Sequence, residues 1–249
     1  MIEYLEGNGL KGAAWNPYTG CLHGLAECPT APICWARNMS HRLPLTCGGD
    51  FQPRYHLGRL EQPLEWRKPR RVAGCFMGEL FGDWQQVDAI GSLGGSLYYK
   101  AWVMEEVQRQ ILVIVGKCPR HQFLFLTKRP ENLARWNPWP KNAWVGCSIT
   151  GAETAERQEA MIKALGQVEG GKRWISYEPL LAAPYRGPPE WLDWAVIGAQ
   201  SGKGAVAPEG WWVEDLERAA DLYRIPYWRK NNLVRALGLE KRQELPDDS

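Results

Sequence analysis

Apolar and polar positions change period repeatedly along this chain. Short apolar runs bounded by turn residues read as strands over 10–15, 72–77, 122–126, 143–149, 173–177, 194–199 and 225–228. Between them, helical spacing predicts helices over 34–43, 101–115, 130–136, 154–168 and 211–223. Val103, Val107, Ile111 and Ile114 share one face of the second of these, and Gly116 is placed to close it. Met161, Ile162 and Leu165 line the fourth; Leu216, Ala220 and Tyr223 line the fifth. Residues 44–70 are rich in Gly, Pro and charge and read as irregular, with one helical turn near 60–66. Residues 89–96 are glycine-rich and read as a loop.

Strands alternating with helices imply parallel strands joined by right-handed crossovers. The pattern predicts an α/β fold in a single domain over residues 1–249. A partial (β/α) barrel of about six parallel strands fits, and an open doubly wound sheet is the alternative that pattern does not separate.

Composition adds little until the cysteines. Apolar residues make up 45% of the chain, enough for an ordinary globular core. A net charge of +2 does not by itself announce a nucleic-acid binder. No apolar run reaches the length of a membrane span, and Met1-Ile2-Glu3-Tyr4 lacks the basic, then apolar, opening of a secretory signal. The expectation is a cytoplasmic protein with reduced thiols and no membrane partner. The acidic tail, 244–249, is expected to fray.

Three of the seven cysteines, Cys21, Cys28 and Cys34, fall within fourteen residues of turn-forming sequence. Three thiolates on one loop can hold a [4Fe–4S] cluster and leave its fourth iron open. They can also hold zinc if His23 joins them. Cys75 and Cys147 sit inside apolar runs and read as core; Cys47 and Cys118 lie apart from the loop.

Ligands of parallel α/β folds bind at the C-terminal ends of the strands. Here those ends carry Glu79, Lys128, Arg129, Ser148, Thr150, Glu178, Gln200, Ser201, Arg229 and Lys230, and the cysteine loop follows the first strand. All of them would meet on one rim. There is no glycine-rich dinucleotide fingerprint, no phosphate-binding P-loop and no hydrolase triad pattern.

The motifs Trp15-Asn16-Pro17-x-Thr19-Gly20-Cys21, Cys34-Trp35-Ala36, Met77-Gly78-Glu79-Leu80-Phe81, Leu126-Thr127-Lys128-Arg129-Pro130, Ser176-Tyr177-Glu178-Pro179-Leu180-Leu181, Asp193-Trp194-x-Val196-Ile197-Gly198 and Ser201-Gly202 stand in this order, with Pro226 to Asn231 as a C-terminal element. Over about residues 12–231 the chain resembles a phage-associated three-cysteine-motif family of uncharacterised function, itself similar to distant radical S-adenosylmethionine (SAM) enzymes. Five residues separate Cys28 from Cys34 where the family has two. Trp35 replaces a tyrosine, Glu79 an aspartate, and Gly198-Ala199-Gln200 a Gly-Gly-Glu.

The resemblance implies a [4Fe–4S] cluster on Cys21, Cys28 and Cys34, with SAM on its open iron. Gly78 and Glu79 would meet the SAM amino group, and Ser148 and Glu178 its ribose; Trp35, Gly198, Gln200 and Ser201 would complete the cofactor site. The activity implied is SAM cleavage and hydrogen abstraction from a substrate, with a reductant protein as partner. A nucleotide or nucleic acid is the substrate expected. Lys128, Arg129, Arg229 and Lys230 would hold its phosphates beside Trp136, Trp139, Trp211, Trp212 and Trp228. Two other readings remain. One is a zinc- or cluster-stabilised nucleic-acid-binding module without catalysis; the other is a redox cluster protein that does not use SAM.

Overall fold

The structure, a computed structural model, describes residues 2–24, 28–43, 49–93 and 96–246. The chain packs as two compact units. The first comprises Leu5–Thr127 and Trp139–Ala143; the second comprises the residues before Leu5, Lys128–Pro138 and the chain from Trp144 onward.

The elements of the first unit are β1 (Lys11–Trp15), β2 (Tyr18–Thr19), α1 (Trp35–Arg42), β3 (Arg54–His56), α2 (Gln62–Glu65), β4 (Arg70–Gly74), β5 (Gln86–Leu93), β6 (Ser96–Val103), α3 (Met104–Lys117) and β7 (Gln122–Thr127). Strands β1, β4 and β7 run parallel in that order, with Trp15 opposite Gly74 and Ala73 opposite Leu124. Gly74 has no side chain, and the Phe125 ring occupies that space: a Cβ there would lie 2.7 Å from it. Trp15 is fully buried and meets Phe123 edge-on at 5.5 Å. Helix α3 buries Met104, Val107, Ile111, Ile114 and Val115, the period of a helix with one apolar face.

A second sheet, β2-β3-β5-β6, flanks the cysteine loop in sequence. It corrects three expectations. Residues 89–96 are not a loop: β5 and β6 pair antiparallel from Gln86–Val103 through Leu93–Ser96, and the glycines masked their alternation. Helix α3 therefore starts at Met104 and runs past Gly116, whose missing side chain faces open space; Cys118 caps it. The 44–70 stretch contains strand β3 as well as the expected helical turn, while residues 44–48, with Cys47, lie outside the described residues.

The second unit holds β8 (Ala143–Ser148, beyond its first residue), α4 (Ala155–Gly166), β9 (Lys172–Tyr177), β10 (Trp194–Ile197), α5 (Gly210–Leu222), β11 (Tyr227–Arg229) and α6 (Asn231–Leu237). Its strands are parallel in the order β8-β9-β10-β11. Nearly every strand residue is buried, as expected of parallel strands covered on both faces. Thr154 caps α4 by accepting from the Arg157 amide at 3.2 Å. Segment 130–136, predicted as one helix, is two 3-10 turns, and α6 was not expected from periodicity because it is only seven residues long.

Register sorts one face of these four strands into rows. Trp174 lies opposite Gly146 and Trp194, and the Trp174 ring occupies the space that a Gly146 side chain would fill. Tyr4 stands edge-on to Trp174, Trp194 and Trp228, at 5.8, 5.4 and 6.5 Å. The next row is Ser148, Ser176, Val196 and Trp228. Beyond it come Glu178, Gly198 and Lys230.

Glu244, the first residue of the acidic tail, is tied to the second unit. The Glu244 amide donates to the Tyr227 carbonyl at 3.1 Å, and the Trp194 indole donates to the Glu244 carbonyl at 2.8 Å. Residues 247–249 lie outside the described residues. The βα alternation on which the partial-barrel expectation rests is present, with three parallel strands in one unit and four in the other. Among the described residues, no helix is long and apolar enough to cross a membrane.

Candidate functional site

The cysteine loop is anchored by backbone contacts that its sequence makes obligatory. After β1, the Asn16 side chain accepts from the Met77 amide at 3.1 Å. Gly20 then bridges to Gly78: its amide donates to the Met77 carbonyl, and its carbonyl accepts from the Glu79 amide, both at 3.0 Å. Gly20 holds φ +93°, open to glycine alone at low cost, and a Cβ there would strike the Gln52 carbonyl. A Cβ on Gly78 would lie 2.5 Å from the Gly20 carbonyl oxygen. The bridge sets Cys21 beside Glu79.

Glu79 is buried, and its Oε1 accepts from the Thr127 hydroxyl at 2.6 Å and the Phe81 amide at 3.1 Å. Thr127 is a contributor that sequence reading passed over. Its signal was available: a hydroxyl as the last residue of a parallel strand. The carboxylate is thus oriented at the C-terminal ends of β4 and β7.

Cys21, Cys28 and Cys34 are all reduced and half-buried. Burial, followed by the charges of Glu79, Cys28 and Cys34, pushes the Cys21 thiol up to about 12, against an opposing hydrogen bond from the His23 amide. That amide points at Cys21 Sγ from 3.4 Å. Cys28 Sγ lies 3.1 Å from the Thr30 hydroxyl, and Cys34 stands at the N-cap of α1. Trp35 beside it is exposed. Cys75, Cys118 and Cys147 are buried, and Cys75 and Cys147 are pushed up to about 12 by burial.

Two features bear on what the loop can hold. The donor chemistry, three half-exposed free thiols on one loop, suits a thiolate-bound metal group. Among the described residues, however, no three His, Cys, Asp or Glu side chains are already arranged around one metal position. His23 is buried edge-on against Trp84 at 5.3 Å, and the Trp84 indole donates to the Tyr18 hydroxyl at 2.8 Å. His23 therefore packs as a wedge under the loop.

The strand ends of the second unit are organised around an ion pair. Lys230 Nζ bonds Glu178 Oε1, and both side chains are mostly buried. Gly198 makes room for them: a Cβ there would lie 3.0 Å from Glu178 Cγ and Lys230 Cδ. Ser148 donates to the Glu178 carbonyl at 3.0 Å. The two residues assigned from sequence to different ligands are thus each other's partner. Asn232 ties Ala199 and Ser201 together, donating to the Ala199 carbonyl at 2.6 Å and the Ser201 hydroxyl at 2.8 Å. Gln200 accepts from the Val206 amide at 3.4 Å.

Two of the other predicted phosphate cations, Arg229 and Arg129, are paired with carboxylates of the protein. Arg229 grips Glu217 with both ends of its guanidinium, at 2.6 and 2.7 Å. Arg129 pairs with Glu131 at 3.4 Å, and the Lys128 carbonyl accepts from Arg157 at 3.0 Å. Trp139 and Trp228 are buried, Trp139 against Phe81 and Phe125. Of the tryptophans proposed to stack on bases, Trp211 alone is largely exposed.

The chain belongs to the family described as proteins of unknown function, DUF5131, whose model matches residues 9–234. No curated protein and no solved structure matches it.

Proposed function

We propose that this DUF5131 chain is a radical-SAM-like enzyme whose cofactor centre is built in the first unit, with Cys21, Cys28 and Cys34 as ligands of a [4Fe–4S] cluster. The observation that carries this reading is the setting of Cys21. It is half-buried, burial followed by the nearby Glu79, Cys28 and Cys34 raises its pKa, and the Gly20–Gly78 bridge holds the start of the loop in place. When bound, such a cluster with SAM on its open iron supplies one electron and, from the cleaved SAM, a radical able to abstract hydrogen.

The chain's own residues do the rest. Loading requires the loop to draw its three thiols together and to release their protons. The His23 amide, aimed at Cys21 Sγ, would stabilise the thiolate once formed. Glu79, oriented by Thr127 and Phe81, offers a carboxyl group that suits an ammonium such as that of SAM. Gly78 lets the chain pass close to the loop at that point. A reductant protein and a cytoplasmic, reducing setting belong to the same reading.

The test is protein purified and reconstituted without oxygen. Brown protein with about four irons and four sulfides per chain is expected. Replacing Cys21, Cys28 or Cys34 with alanine should abolish iron loading, whereas Cys147→Ala should retain it. Colourless protein with about one zinc would overturn the reading in favour of a metal-stabilised module. Full iron occupancy in Cys28→Ala would remove the ligand assignment.

A further inference from the structure

We propose that a groove beside α5, wholly within the second unit, binds single-stranded nucleic acid. The cavity has a volume of about 360 Å³ and is lined by Tyr185, Arg186, Trp211, Trp212, Arg218 and Leu222, among others. Tyr185 is 60% exposed, Trp211 55% and Leu222 72%. Water-facing aromatic area of this kind is normally covered, and here it is concentrated in one concavity.

The groove is a formed surface. The 183–187 segment lies directly on α5, because Gly187 has no side chain and the Ala219 methyl occupies that space. Trp212 is half-buried and meets Trp211 edge-on, with ring centres 6.1 Å apart and planes at 81°. That contact sets the plane of the exposed indole before any ligand arrives.

Charge selects the occupant. The lining contains two arginines, Arg186 and Arg218, and one carboxylate, Asp215. Arg218 pairs with Asp215 at 3.1 Å and Arg186 with Glu159 at 3.2 Å, and all four side chains are between 45% and 74% exposed. Exposed pairs of this kind are worth little, so an incoming phosphate can take either guanidinium in a bidentate contact. Flat aromatic faces flanked by arginines are what successive unpaired bases and their phosphates require. An apolar peptide would leave the arginines unused, and a duplex hides its base faces. The net charge of +2 suits a short local contact better than a long electrostatic track. Three of the cations first expected to hold phosphate, Arg129, Arg229 and Lys230, are paired and have side chains only 16–19% exposed, whereas Arg186 and Arg218 face solvent, which favours the outer surface of α5 for this role. The inference does not depend on the cluster, and its test needs neither iron nor SAM.

Fluorescence anisotropy with labelled oligothymidylate and oligouridylate of about ten nucleotides tests it, at two salt concentrations. Binding should weaken with salt, and Arg218→Ala should lower the slope of log affinity against log salt by about 0.7. Trp211→Ala and Tyr185→Ala should each weaken binding roughly tenfold, Trp211→Phe should restore most of the loss, and Tyr223→Ala, outside the lining, should change nothing. Circular dichroism confirms that each variant is folded. Binding to neither oligonucleotide at low salt would overturn the proposal, as would unchanged affinity in both Trp211→Ala and Tyr185→Ala. Sedimentation showing a dimer that Trp211→Ala dissociates, without oligonucleotide binding, would instead assign the groove to a second copy of the chain and equally overturn it.

Discussion

Gly20 and Gly78 meet backbone to backbone, and neither position has space for a side chain. The contact joins the start of the cysteine loop to the segment that carries Glu79. Both the thiols and the carboxylate depend on it for their relative placement.

Gly78→Ala should therefore destabilise the protein by about 1–3 kcal/mol, since the new methyl group meets rigid backbone rather than a side chain that can turn away. Gly24→Ala is the comparison, because a Cβ there meets nothing within 4 Å. Urea denaturation followed by tryptophan fluorescence measures both. Equal midpoints for the two variants would mean that the bridge does not hold the loop.

Glu178 and Lys230 should behave as a coupled pair. Glu178→Gln or Lys230→Met alone leaves one charge mostly buried without its partner, at a cost of about 1–3 kcal/mol. The double variant should cost less than the sum of the two by about 1 kcal/mol or more. A double-mutant cycle by chemical denaturation gives the coupling directly. Simple additivity would show that each residue is held by other contacts.

His56 should make the fold acid-sensitive. Burial, followed by the positive charges of Arg59 and Arg54, lowers its pKa from 6.5 to about 4, and its ring sits 2.9 Å from the Thr19 hydroxyl. The unfolded chain therefore takes up a proton at a higher pH than the folded protein does. This contribution is fully present above pH 6.5 and is lost as the pH falls towards 4. Its size is up to about 3 kcal/mol, from roughly 1.4 kcal/mol per unit. Denaturation midpoints at pH 7 and pH 4.5 should separate clearly in the parent protein and less in His56→Gln. An identical acid loss in both would place the sensitivity on other groups.

Much of this architecture could be read from the chain before folding. Strands at Val72, Phe123, Val145, Ile175 and Val196 and the helix over Met161 to Leu165 follow from local periodicity, which neighbouring residues alone determine. The burial of Cys75 and Cys147 followed from their immediate neighbours in the same way. The antiparallel pairing of β5 with β6 did not, because the glycines of this stretch weaken the local strand signal and the pairing itself stabilises the strands.

Partnership was decided by tertiary structure alone. Glu178 and Lys230 are 52 residues apart, and Thr127 and Glu79 are 48 apart. Only the parallel register places Glu178 and Lys230 on either side of Gly198, and only adjacent strand ends bring Thr127 to Glu79. Arg229 looked like a phosphate ligand in sequence and instead grips Glu217 across the turn that joins α5 to β11. Residue type and spacing specify which charges a strand end can offer. Which of them the protein keeps for itself depends on the crossovers and register, because a buried charge must find its counter-charge within the fold.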